Sequence, residues 1–126
     1  MLRADIPVPS AWHQVLGAPS RCNAWIGTRS TVTPCHWDSY DNFLSQLQGF
    51  KRVALLPPTA HLPVEAKSGT GAQGNVSPVD LEARDLDVKA EVIWVDLSPG
   101  HVLFMPSGWW HQVRGLTPSI SVNFWY

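Results

Sequence analysis

The sequence predicts an all-β sandwich or barrel. Eleven prolines and nine glycines separate short apolar runs, which is the punctuation of strands and turns. Good helix formers are thin. Apolar runs of strand length recur along the chain between those turns. At 126 residues there is material for one domain, 1–126, with a single core. The hydrophobic content of 44% is that of a folded protein, which excludes general disorder. A net charge of -1, nine Lys+Arg against ten Asp+Glu, argues against nucleic acid as a partner and against a polyanionic tail.

Residues 1–22 read as an irregular, Pro-broken lead-in. The first strand is 23–27, closed by Gly27. The stretch 31–38 is extended, because Pro34 disfavours helix at Thr33 and β-branched residues precede it. A strand over 43–47, a turn at Gln48-Gly49 and a strand over 51–56 read as a hairpin that stops at Pro57-Pro58. Residues 59–90 form a long loop insertion, with a Gly-rich stretch over 68–74. Such a loop is either a lid or binding loop or a tolerated insertion. Strands follow over 91–97, 101–105 and 109–113, and the last runs from Ser119 to Tyr126. On that strand Ile120, Val122 and Phe124 share one face. Ser119, Ser121, Asn123 and Trp125 share the other, which is the one expected to line a pocket.

No apolar run reaches the roughly 18 residues of a membrane helix, and residues 1–10 lack the apolar stretch of a signal peptide. Two cysteines, Cys22 and Cys35, make no disulfide framework. The expectation is an intracellular protein, cytoplasmic or nuclear, with reduced thiols.

The chemistry concentrates in His36-Trp37-Asp38 and His111. On a strand, residues i and i+2 point the same way, so His36 and Asp38 can aim at one point. His111, from a later strand, is the candidate third member. Two histidines and a carboxylate on one side of a metal make the facial triad of non-haem Fe(II) oxygenases. Each residue also has an ordinary structural reading: a hydrogen-bonded core histidine, a turn aspartate, an aromatic at an interface. Cys35 adjoins His36 and points to the opposite face, so it is not counted as a ligand. Trp110 and Trp125 read as packing or pocket wall.

The text around these residues is more specific. The run Thr33-Pro34-Cys35-His36-Trp37-Asp38, then Asn42-Phe43, then Gln48-Gly49-Phe50-Lys51-Arg52, resembles the first half of a JmjC or cupin-like 2-oxoglutarate oxygenase core. The runs Pro99 to Pro106, Gly108-Trp109-Trp110-His111 and Ser121 to Tyr126 resemble its second half. Within that family the motifs are similar to those of the asparaginyl hydroxylases. The resemblance implies a double-stranded β-helix, a jelly-roll barrel of cupin type, here as a minimal or truncated core. It implies His36, Asp38 and His111 as Fe(II) ligands. It gives Lys51 and Thr33 as anchors for the far carboxylate of 2-oxoglutarate, and Asn123 as an amide near the metal and cosubstrate. The implied reaction consumes O2, decarboxylates 2-oxoglutarate to succinate and hydroxylates a side chain of a protein or peptide. Methyl-lysine and RNA nucleosides are alternative substrates within the enzyme class. A catalytically silent metal-binding or interaction module is the alternative outside it. A metal-dependent isomerase or a dioxygenase without cosubstrate would have no need of Lys51 and Thr33.

The resemblance also brings departures. Only 35 residues precede His36, none of them the tyrosine that often reaches the distal carboxylate, and no helical extension follows Tyr126. The expectation is a barrel with an exposed edge, prone to association.

Overall fold

The computed structural model describes residues 9–65 and 74–126. Among the described residues eight strands form two four-stranded antiparallel sheets. They are β1 (Arg21–Gly27), β2 (Val32–His36), β3 (Asn42–Gln48), β4 (Lys51–Leu56), β5 (Ile93–Leu97), β6 (Val102–Met105), β7 (Trp110–Gly115) and β8 (Ser119–Trp125). One sheet has the order β1-β8-β3-β6 and the other β2-β7-β4-β5. This is the double-stranded β-helix: apart from β4 and β5, which pair within one sheet, successive strands step from sheet to sheet, and the inner faces enclose a barrel.

The stepping corrects the hairpin expected at Gln48-Gly49. Strands β3 and β4 do not pair. β3 lies between β8 and β6, while β4 lies between β7 and β5. The turn carries the chain across the barrel instead. Gly49 has φ +72°, and a Cβ there would stand 2.1 Å from the Pro118 carbonyl oxygen, so only glycine fits. Gln46, fully buried, pins the crossing: its Nε2 donates to the carbonyls of Gln48 and Gly49, and its Oε1 accepts from Ser121 Oγ at 2.6 Å. A two-residue turn looks the same in sequence whether the strands pair or part.

Two further differences concern segments read as irregular. Within the lead-in, residues Ser10–Leu16 form a helix, α1, which starts after Pro9 and ends at Gly17 with φ +76°. Its Trp12 packs on Phe43 at 4.7 Å and edge-on to Phe124 at 6.0 Å. The apolar outer side of β8 therefore has a cover, as the alternation on that strand required. Seven residues carrying one large aromatic gave no periodicity to read.

The described part of 59–90 holds a single 3-10 turn at Pro58–Ala60. Its side chains nonetheless build a core. Leu62 and Leu81 are buried with Cys35, Ala54, Leu56 and Trp110 on the outer side of the second sheet. A separate cluster, Leu44, Val53, Leu55, Leu97 and Met105, fills the space between the sheets. The segment is held by polar bonds as well as burial: Gln112 accepts from the Leu81 amide and donates to Asp80, and Arg114 pairs with Glu82. Residues 66–73, most of the Gly-rich stretch, lie outside the described residues. No described helix is long and apolar enough to cross a membrane.

Candidate metal centre

His36 and His111 are brought together by strand pairing. They are register partners on β2 and β7, with ring centroids 4.1 Å apart. Asp38 arrives differently from the expectation. β2 ends at His36, so the i, i+2 rule of a strand does not place Asp38. The loop does. Trp37 N donates to the Asn75 carbonyl, Asn75 Nδ2 donates back to the Trp37 carbonyl, and Gly108 N donates to the Asp38 carbonyl. Val76 forms a bridge with His36, and Ser77 N donates to the Cys35 carbonyl. The long loop thus clamps the segment from Cys35 to Asp38, a role no composition rule reveals.

The donor chemistry suits a divalent cation. Each imidazole is 2.8–3.1 Å from a backbone carbonyl through Nδ1, His36 to Pro34 and His111 to Trp109. Those contacts assign the proton to Nδ1 and leave both Nε2 lone pairs bare. Asp38 adds carboxylate oxygens. One ligand atom from each of the three lies within 4.8 Å of the others. His111 Nε2 stands 3.7 Å from Asp38 Oδ2. Burial, reinforced by His36, lowers the His111 pKa to about 4, so at neutral pH this contact is not an ion pair. It is two electron-rich atoms facing each other, an arrangement that a bound cation satisfies. Burial also raises the Asp38 carboxyl, against the opposing influence of His36 and the hydrogen bond from Asn42.

These shifts set a pH dependence for the metal-free protein. An unfolded histidine titrates near 6.5. The unfolded chain therefore binds a proton before folded His111 does, and stability falls as pH drops from about 6.5 to about 4. The His111 contribution is roughly 3 kcal/mol, all present above that window. Asp38, with its carboxyl raised, works in the opposite direction and offsets part of it. Urea denaturation between pH 7.5 and 4 checks this. Equal slopes for the wild type and His111→Asn would refute it.

A cavity of about 310 Å³ opens from the triad between the sheets. Thr33, Lys51 and Asn123 line it with His36, Asp38 and His111, so all six residues singled out from sequence reach one cavity. Lys51 is buried, burial lowers its pKa, and it has no carboxylate partner among the described residues. Residues missed in the sequence complete the walls. Asn42 Nδ2 reaches Asp38 Oδ2 at 3.4 Å, and Asn123 Nδ2 donates to Asn42 Oδ1 at 3.0 Å. Asn23 Nδ2 and Trp25 Nε1 both donate to Asn123 Oδ1. This relay runs from β1 through β8 and β3 to Asp38 and fixes the orientation of both amides. Alternation was the available signal: Asn23 with Trp25, and Asn42 with Leu44, occupy same-face positions. At the mouth, Trp125 stacks on Tyr40 at 4.9 Å and lies under the Arg21 guanidinium at 5.4 Å.

A family model for the cupin-like domain matches residues 2–126. The protein belongs to the cupin-like family. This cupin-like domain is 39% identical over 123 residues to JmjC domain-containing protein F of Dictyostelium discoideum, a match covering 81% of the chain and 26% of that relative. It is 38% identical over 130 residues to lysine-specific demethylase JMJ30 of Arabidopsis thaliana, covering 99% of the chain and 30% of the relative. Lysine-specific demethylase 8 of Xenopus tropicalis is 38% identical over 137 residues, again with 99% and 30% covered. The domain thus spans under a third of the length of these relatives. Among solved structures, the ribosomal oxygenase YcfD of Escherichia coli in complex with cobalt and 2-oxoglutarate superposes with a TM-score of 0.61. That match has 17% identity and covers 92% of this chain and 27% of YcfD, which shows a shared fold.

Proposed function

We propose that this cupin-like domain is the core of an Fe(II)- and 2-oxoglutarate-dependent oxygenase that uses O2 to hydroxylate a protein side chain. The observation that carries the reading is one cavity with two complementary ends. Three lone-pair donors, His36, Asp38 and His111, converge at one end, and the Lys51 ammonium, without a carboxylate partner among the described residues, and the Thr33 hydroxyl line the wall deeper in. A bifunctional ligand is required to satisfy both ends. A 2-oxo diacid does so, with its keto-acid end at the metal and its far carboxylate on Lys51 and Thr33. Neither a simple metal-binding module nor a cosubstrate-free dioxygenase needs a buried cation at that distance.

In this reading iron would be held by His36, Asp38 and His111 and would supply oxygen activation and C–H oxidation when bound. The protein's own part is positional. The carbonyls of Pro34 and Trp109 keep the protons on Nδ1 of the two histidines, so Nε2 stays available to the metal. Asn42 and Asn123 orient the Asp38 carboxylate. Leu44, Met105 and Val113 present apolar surface that limits water inside the cavity. No side chain is required as a general base.

Hydroxylation of an amide side chain in an extended peptide follows from the motif resemblance to the asparaginyl hydroxylases. A second reading, removal of a methyl group from lysine, is supported by relatives that carry the name lysine-specific demethylase. Both begin with the same C–H oxidation, so the site serves either. The test is anaerobic iron loading, then 2-oxoglutarate, O2 and peptide arrays, with succinate and peptide mass as readouts. Succinate with a peptide one oxygen heavier supports hydroxylation. Succinate with formaldehyde and a peptide one methylene lighter supports demethylation. Iron binding with no succinate under any condition refutes the oxygenase reading and leaves the silent metal-binding module.

A further inference from the structure

The cavity continues past Lys51. A second chamber of about 60 Å³ lies beyond it and shares Trp25, Thr33, Lys51 and Val113 with the main cavity. Gly27, Gly115 and Ser119 also line it. These positions are at the far ends of β1 and β7 and the start of β8. On β7, Gly115 lies four residues beyond His111, roughly 13 Å along the strand. The chamber is therefore the end of the barrel away from the triad, and Lys51 stands between the two spaces.

One polar atom in that chamber is unexplained. Ser119 Oγ is buried, with the residue only 4% exposed, and has no hydrogen-bond partner among the described residues. Of the other hydroxyls there, Thr31 Oγ1 donates to the Thr28 carbonyl and contacts Thr28 Oγ1, while Thr33 is already placed as an anchor. A buried hydroxyl without a partner carries a desolvation cost that nothing in the described fold repays. Alternation turns Ser119 inward with Ser121 and Asn123. Ser121 meets Gln46 and Asn123 meets Asn42, so Ser119 alone of the three has no partner among the described residues.

We propose that Ser119 is a third anchor for the far carboxylate of the cosubstrate, turning about χ1 to donate its hydroxyl proton to that carboxylate from the end of the barrel away from the triad. Lys51 supplies the charge, Thr33 a hydroxyl from β2, and Ser119 a hydroxyl from β8. The chamber is several times the roughly 10–15 Å³ a water molecule needs, so it has room for the carboxylate edge. This inference rests on the 2-oxoglutarate reading and deepens it. It makes Ser119 a determinant of selectivity for diacids over monoacids.

The test separates anchoring from structural support. Deleting a partnerless buried hydroxyl removes a cost, so Ser119→Ala should leave the thermal midpoint of the ligand-free protein unchanged or raised. Calorimetry on the chain loaded anaerobically with manganese(II) then compares 2-oxoglutarate with pyruvate, which has the keto-acid end and lacks the far carboxylate. The expected result is about a tenfold loss of 2-oxoglutarate affinity in Ser119→Ala, with pyruvate and manganese affinity unchanged. Equal 2-oxoglutarate affinity in wild type and variant overturns the anchor and would mean that a fixed water occupies the chamber. An equal loss for pyruvate also overturns it, because the effect would not come from the far carboxylate. If the wild type itself binds no 2-oxoglutarate, the oxygenase reading fails and the anchor fails with it.

Discussion

Asp38→Ala should abolish stable metal loading while leaving the apoprotein as stable as before or more so. The two effects have one cause. Asp38 is largely buried, with burial raising its carboxyl pKa and two bare imidazole nitrogens nearby. Without a cation that carboxylate is a burden, and replacing it with a methyl group relieves it. With a cation it is the only anionic member of the triad. Disturbing residues that merely support a metal ligand costs about 10–100-fold in affinity. Loss of the anionic ligand itself should cost on the order of a hundredfold or more. Thermal melts with and without added manganese(II) or cobalt(II) read both effects at once, because an ion that binds only the folded state raises the midpoint. The wild type should gain stability from the ion and the variant should not. A variant that keeps the full metal-dependent gain would remove Asp38 from the site, and with it the triad.

Lys51→Ala is the second large effect, and it should separate cosubstrate from metal. Lys51 sits on β4 at the register position of Gly115, four residues along from Leu55, the partner of His111. Its distance along the barrel from the triad means that its removal leaves the ligands in place. Metal affinity should therefore be nearly unchanged. A carboxylate entering the cavity would then lose its buried counter-charge, a change worth about 3–5 kcal/mol, or on the order of a hundredfold or more in 2-oxoglutarate affinity. Because burial already lowers the Lys51 pKa, the ligand-free variant should fold at least as well as the wild type. Isothermal titration with 2-oxoglutarate in the presence of a redox-inert metal distinguishes the cases. Unchanged affinity would place the carboxylate elsewhere, whereas parallel losses of metal and cosubstrate would indicate general damage.

The residues that carry these expectations were readable because each belongs to a local pattern. His36, Asp38 and Thr33 fall in one run of six residues, Lys51 follows a turn, and His111 and Asn123 lie in short motifs between glycine and proline punctuation. The eight strands were legible for a related reason: a strand is a local conformation, announced by its own alternation and ended by its own turn residues. The same locality explains what was misread. Whether Gln48-Gly49 closes a hairpin or sends the chain to the other sheet depends on Pro118, Thr117 and Ser119, which crowd Gly49 from almost 70 residues away. Asn42 stands in one of the resemblance motifs with no role to read from its neighbours, and its place in the relay depends on Asn123 donating to it from 81 residues away. The loop over 59–90 carries no periodicity, yet Asn75 and Val76 hold the ligand segment, and Leu62 and Leu81 complete a core.

By itself the sequence determined the strand inventory and the candidate ligand types and their order, since propensity, turn chemistry and donor atoms are properties of residues and their neighbours. Only the tertiary structure decided that β2 and β7 pair in the register that sets two imidazoles 4.1 Å apart, that a patternless loop clamps Asp38, and that Ser119 is left without a partner among the described residues. Those outcomes depend on which distant backbone groups satisfy one another's hydrogen bonds, a matching problem solved by the folded chain as a whole.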